Sequence, residues 1–110
     1  MKIINRGYLI LKVKAPFIEW ANQFEDEFQF DDLDDLEPSI YLIEEDFFDN
    51  EQIIKQNFKK VFLNELMAVS EEEETYPEIR EENFHNWFGV TVGTTVFDAE
   101  KSDLQRFDID

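Results

Sequence analysis

Carboxylates are the chief chemical resource of this sequence. Twenty-seven Asp and Glu residues stand against ten Lys and Arg, one His and no Cys, for a formal charge of −17. Their densest cluster is Asp31-Asp32-Leu33-Asp34-Asp35. Asp31, Asp32, Asp34 and Asp35 are the candidate ligands for a hard cation such as calcium or magnesium, which takes several converging oxygens. An EF-hand loop alternates its ligands and turns at a central glycine, and this segment does neither. A solvated acidic loop pinned by Leu33 and Leu36 is the expected state, with no dedicated metal site and no cofactor. Paired carboxylates also serve acid–base hydrolysis, but their separation in space decides that, and no pair stands out among so many.

His85 is the sole histidine. It falls beside Glu81 and Glu82 on a helical stretch whose core side is Phe84, Trp87 and Phe88. With no second His and no Cys, a soft metal site lacks ligands. Ser39, Ser70 and Ser102 lie in no nucleophile-elbow context and would have to share one histidine. Three scattered glycines form neither a phosphate loop nor a dinucleotide fingerprint. The reading therefore favours a non-catalytic role over an enzyme, with a small carboxylate enzyme or divalent-metal binder as one alternative. Trp20, Tyr41, His85 and Trp87 are the candidates for a partner surface, since aromatic anchors often rim binding grooves. The pairs Phe17/Trp20 and Trp87/Phe88 also have the spacing of helix stripes, for which the core is the first expectation.

The charge itself constrains partners. Phosphate binding needs Lys and Arg to release counterions, so the overall field opposes direct nucleic-acid binding and anionic membranes. A basic or neutral protein partner is expected, and the chain reads as an acidic protein-binding or regulatory domain. A second alternative is mimicry of nucleic acid, with carboxylates filling the basic cleft of a DNA-binding protein. No apolar run reaches the roughly 18 to 20 residues that span a bilayer. The N-terminal apolar stretch is interrupted by Lys12 and Lys14 and lacks a small-residue cleavage site, so the expected location is the cytoplasm.

The elements that must position these residues follow from periodicity. Apolar residues make up 43% of the chain, with twelve phenylalanines, enough to fold it despite its charge. Residues 7–14 read as a strand, with Leu9, Leu11 and Val13 on one face. Pro16 suits the first turn of a helix carrying Phe17, Trp20, Ala21 and Phe24 at i, i+3, i+4 and i+7. Ser39-Ile40-Tyr41-Leu42-Ile43 is a short strand, apolar on both faces and so expected to be well buried. Asp49 and Gln52 form a capping box at the start of the longest helix, 49–70. Its core face is Ile54, Phe58, Val61, Phe62, Leu66 and Val69, and it should stop near Ser70, before the unfavourable glutamates 71–74. A further helix carries Phe84, Trp87 and Phe88 and ends with Gly89 as its C′ residue. Val90 to Val96 then alternate as a third strand.

Three segments read together resemble a family of small bacterial proteins of unknown function. They are Pro16-Phe17-Ile18-Glu19-Trp20, Glu37-Pro38-Ser39-Ile40-Tyr41-Leu42, and Phe84-His85-Asn86-Trp87-Phe88 followed by a strand ending at Asp98. The likeness spans residues 7–98 in outline and departs from the family pattern at Gly93-Thr94, where a polar pair is usual. It implies a compact bacterial α+β protein and brings no activity with it.

The expected architecture is α+β and two-layered: a small three-stranded sheet with helices mainly on one face, in the order β-α-β-α-α-β. Residues 1–98 form one domain. Residues 99–110 form a loosely held tail, anchored only by Leu104, Phe107 and Ile109.

Overall fold

In a computed structural model of the chain, residues 1–24 and 36–109 are described. The acidic cluster 31–35, including all four candidate metal ligands, lies outside the described residues, as do Phe28 and Phe30. The architecture is mixed α+β. Strands β1 (Lys2–Ile4) and β2 (Gly7–Val13) are followed by helix α1 (Ala15–Ala21) and strand β3 (Ser39–Ile43). The long helix α2 (Asn50–Val69) and the short helix α3 (Glu81–Trp87) come next, then strands β4 (Phe88–Gly93) and β5 (Val96–Asp98). Between α2 and α3, Glu73–Thr75 make one 3₁₀ turn.

The expected three-stranded sheet is present, antiparallel and in the order β3-β2-β4, and a two-stranded ribbon of β1 and β5 extends it. The third strand is thus two strands, interrupted at Thr94-Thr95. Ile4 pairs with Val96 while Tyr8 pairs with Gly93, so three residues on one side face two on the other. This is the count of a β-bulge, which shifts the inward and outward alternation by one residue. Even-numbered residues of β1 therefore share a side with odd-numbered residues of β2.

Local chemistry sets the helix ends. Pro16 stands in the first turn of α1, where an N–H is not needed. Asp49 caps α2 as its charge and position predict: its Oδ1 accepts from the backbone N–H groups of Glu51 at 3.0 Å and Gln52 at 3.3 Å. The helix stops at Val69, with Ser70 as its extended C-cap, ahead of the glutamate run. Gly89 follows the C-cap Phe88 but does not take the left-handed conformation of a C′ glycine. Phe88 leaves the helix directly in extended conformation (φ −139°) and begins β4, paired with Val13, so no left-handed turn intervenes. Lys14 fastens this corner, its N–H donating to Trp87 O and its Nζ to His85 O, both at 2.8 Å. A cation there also suits the negative end of α3.

All three helices supply the core that covers one face of the sheet. Leu9 and Leu11 of β2 and Ile43 of β3 are buried with Phe17, Ile18 and Trp20 of α1, Ile53, Phe58, Val61, Phe62 and Leu66 of α2, Phe84 of α3, and Phe88. At roughly 1.5–3 kcal/mol for each large apolar side chain, this face carries most of the folding energy. On α2 the core face is turned slightly from the expected one. Ile53 is buried and Ile54 and Val69 only half-buried, and Asn57 enters the core with its amide bonded to Ile53 O at 2.7 Å.

Candidate functional site

The two tryptophans pack in or against the core. Trp20 is 5% exposed, its indole Nε1 donating to Thr75 Oγ1 at 3.3 Å. Trp87 is half-buried, with ring centroids 6.0 Å from Trp20 and 5.8 Å from Phe62. Both belong to a continuous aromatic core, the fate that their helical spacing favours.

His85 is exposed and lies in a shallow depression of about 390 Å³ between the start of α2 and the flank of α3, lined also by Asp49, Glu51, Lys55 and Glu81. An imidazole beside carboxylates can shuttle protons, but the lining contains no hydroxyl or thiol nucleophile for it to activate. No group of three or more His, Asp and Glu side chains among the described residues can hold a metal ion.

Tyr41 sits in a different setting. It faces inward from β3 and donates its hydroxyl to Glu65 Oε2 on α2, while Asn64 Nδ2 donates to the same hydroxyl at 3.0 Å. Ser39, two residues back on the same face, donates to Glu65 Oε1 at 3.3 Å. One carboxylate thus holds two hydroxyls of the strand against the helix. Burial pushes the Tyr41 phenol well above its ordinary value, reinforced by the bond to Glu65. A phenol so disfavoured as phenolate keeps its proton and acts as a hydrogen-bond donor, so the cluster is a clamp between β3 and α2.

Beside the clamp, a depression of about 340 Å³ opens between β3 and α2. Tyr41, Leu42 and Ile43 line it from the strand, and Asn57, Lys60, Val61 and Asn64 from the helix. A neighbouring hollow continues past Ile43 to Arg6 and Glu44.

Among the described residues, no element covers the second face of the sheet. Where the strand was expected to be buried on both sides, Ile40 is 67% and Leu42 52% exposed. The helices cover one face only, so the alternation leaves these two residues outside. By register Ile40 lies beside Ile10 and Leu42 beside Tyr8. The bulge puts Ile3 and its partner Phe97 on the same side, at 69% and 62% exposure. An apolar stripe therefore runs along the outer face from Phe97 and Ile3 through Tyr8 and Ile10 to Ile40 and Leu42. The sequence reading missed it, because apolar alternation signals an inward face and leaves open whether anything covers the other. Phe48, Leu104, Phe107 and Ile109 are also exposed, so the last three anchor nothing in the described structure.

Comparison with models of protein families, with curated proteins and with solved structures finds no match to this chain. No helix among the described residues is long and apolar enough to cross a membrane.

Proposed function

We propose that this chain is a non-catalytic binding domain that engages a basic protein through the bare outer face of its sheet. The observation that carries this reading is the outer stripe. Ile3, Ile40, Leu42 and Phe97 each leave more than half of their surface in water, while eight other large side chains among the described residues are fully buried. Apolar residues grouped on one face mark an interaction surface far more often than isolated exposed residues do. The charge of −17 gives the partner its sign. Arg80, paired with Glu78 at 3.4 Å and Glu82 at 3.8 Å, makes the only ion pairs among the described residues, which leaves most of that charge free to act outward.

Affinity purification at physiological salt, followed by mass spectrometry, tests the reading. The native chain should recover a basic protein, and a chain carrying Ile3→Lys and Phe97→Lys should lose it while keeping a native circular-dichroism spectrum. Equal recovery by both chains, or recovery only of acidic proteins, would count against the outer face.

A further inference from the structure

We propose that the free edge of β3 takes up an extended basic segment of the partner as a fourth strand of the sheet. This inference rests on the binding reading and specifies where and how the partner enters. Three observations converge on it.

The first is the edge itself. β3 pairs with β2 on one side, and among the described residues no strand pairs with its other side. Proteins commonly blunt such edges with lysine, an inward charge or a bulge. The five residues Ser39–Ile43 carry no charge, and their register with β2 runs unbroken from Leu11↔Ser39 to Gly7↔Ile43. Pro38 guards only the entry to the strand.

The second is the groove. Strand addition draws affinity from main-chain hydrogen bonds and specificity from pockets for alternate side chains. A strand laid against β3 would send one set of side chains into the hollow between β3 and α2, beside Tyr41 and Val61. Its other set would lie next to Ile40 and Leu42, extending the outer stripe. Alternate residues on both sides of the incoming strand thus meet apolar surface.

The third is charge. Residues 15–54 contain fourteen acidic side chains and no Lys, Arg or His. β3 lies within that stretch, preceded by Glu37 and followed by Glu44, Glu45 and Asp46. Lys60 and Arg6 stand near its Ile43 end. The basic residues of the segment are therefore placed toward Ser39, over Glu37 and Glu65. The same charges disfavour a second copy as occupant. An antiparallel β3–β3 pair centred on Tyr41 would set Glu37 of one chain opposite Glu45 of the other, and like charges directly opposite are destabilising.

Selection of random displayed peptides of roughly 12 residues on the immobilised full chain tests the proposal. Enriched sequences should alternate apolar residues and carry Lys or Arg toward one end. A synthetic copy should lose affinity at least about 10-fold when alternate backbone amides are N-methylated, because the ladder bonds are lost. Ile40→Lys and Leu42→Lys, folded by circular dichroism, should weaken it similarly, and hydrogen exchange should slow in β3. The proposal is overturned by absence of enrichment, by enrichment of acidic or helical sequences, or by indifference to N-methylation. Protection confined to the β1–β5 ribbon would remove the edge assignment and leave outer-face binding standing. A dimer dissolved by Leu42→Lys would show that β3 pairs with a second copy, against the charge argument.

Discussion

The ring of Tyr8 fills the space where a side chain at Gly93 would stand. A Cβ built there would run into Cζ, Oη and Cε1 of the Tyr8 ring. The two residues are directly paired across β2 and β4, so the tyrosine lies over its partner's bare backbone. An aromatic ring laid across a cross-strand glycine is a known device for holding register, because it covers backbone that would otherwise face water.

Gly93→Ala should therefore expel Tyr8 from its seat. The expected cost is about 1–3 kcal/mol, read from the midpoint of denaturant unfolding. In the background of Tyr8→Ala the same change should cost much less, since the three nearest atoms all belong to that ring. A double-mutant cycle showing simple additivity would contradict the geometry.

The Tyr41 clamp makes an alkaline prediction. In the unfolded chain this phenol titrates near 10.0, and in the folded chain it is held higher by burial and then by Glu65. The folded state thus keeps its proton where the unfolded state loses it. Stability from this group is complete below pH 10 and is lost as pH rises beyond it. Tyr76 adds to the same trend, raised by burial and by Glu73, Glu71 and Glu74. Tyr41→Phe should flatten the decline in unfolding midpoint above pH 10 without abolishing it. Measured at neutral pH, the same variant should cost about 1 kcal/mol for the lost hydrogen bond.

Phe62 occupies the centre of the aromatic core, fully buried and edge-on to Phe88 at 5.5 Å between centroids, with Phe84 at 5.7 Å. Phe62→Ala should cost about 3–5 kcal/mol. Against the 5–15 kcal/mol typical of whole domains, that places the variant near its folding threshold. Phe62→Leu should retain much of the stability, and near-ultraviolet circular dichroism of both variants would show whether Trp87 keeps its fixed surroundings.

What could be read in advance divides along physical lines. The Asp49 cap, the stop at Ser70 and the stripe of Phe17, Trp20 and Ala21 depend on neighbours within a few residues, and each is present. The left-handed turn expected at Gly89 is absent because a helix can pass straight into a strand when the joining residue, Phe88, is itself a core residue. β1 and β5 are three residues long and separated from the main sheet by a bulge, too short for alternation to announce them. Asn57 escaped notice because its amide is satisfied one turn back on its own helix. The groove between β3 and α2 joins residues that lie at least fourteen positions apart in the chain (Ile43 and Asn57), so no local pattern encodes it. The bare outer face was hidden for a related reason: Ile40 and Leu42 look like core until the layers are counted.

The offset between the β1–β5 ribbon and the main sheet gives the outer stripe a dependence on reading parity. Ile3 and Phe97 reach the stripe because one extra residue separates Ile4 from Tyr8 compared with the two between Gly93 and Val96. Insertion of a single residue at Thr94-Thr95 would straighten the connection. If the β1–β5 ribbon then kept step with the main sheet, it would present Lys2, Ile4, Val96 and Asp98 outward in place of Ile3 and Phe97, exchanging an uncharged tip for a charged one. The length of this short connector, and not only its composition, therefore sets the chemical character of one end of the surface.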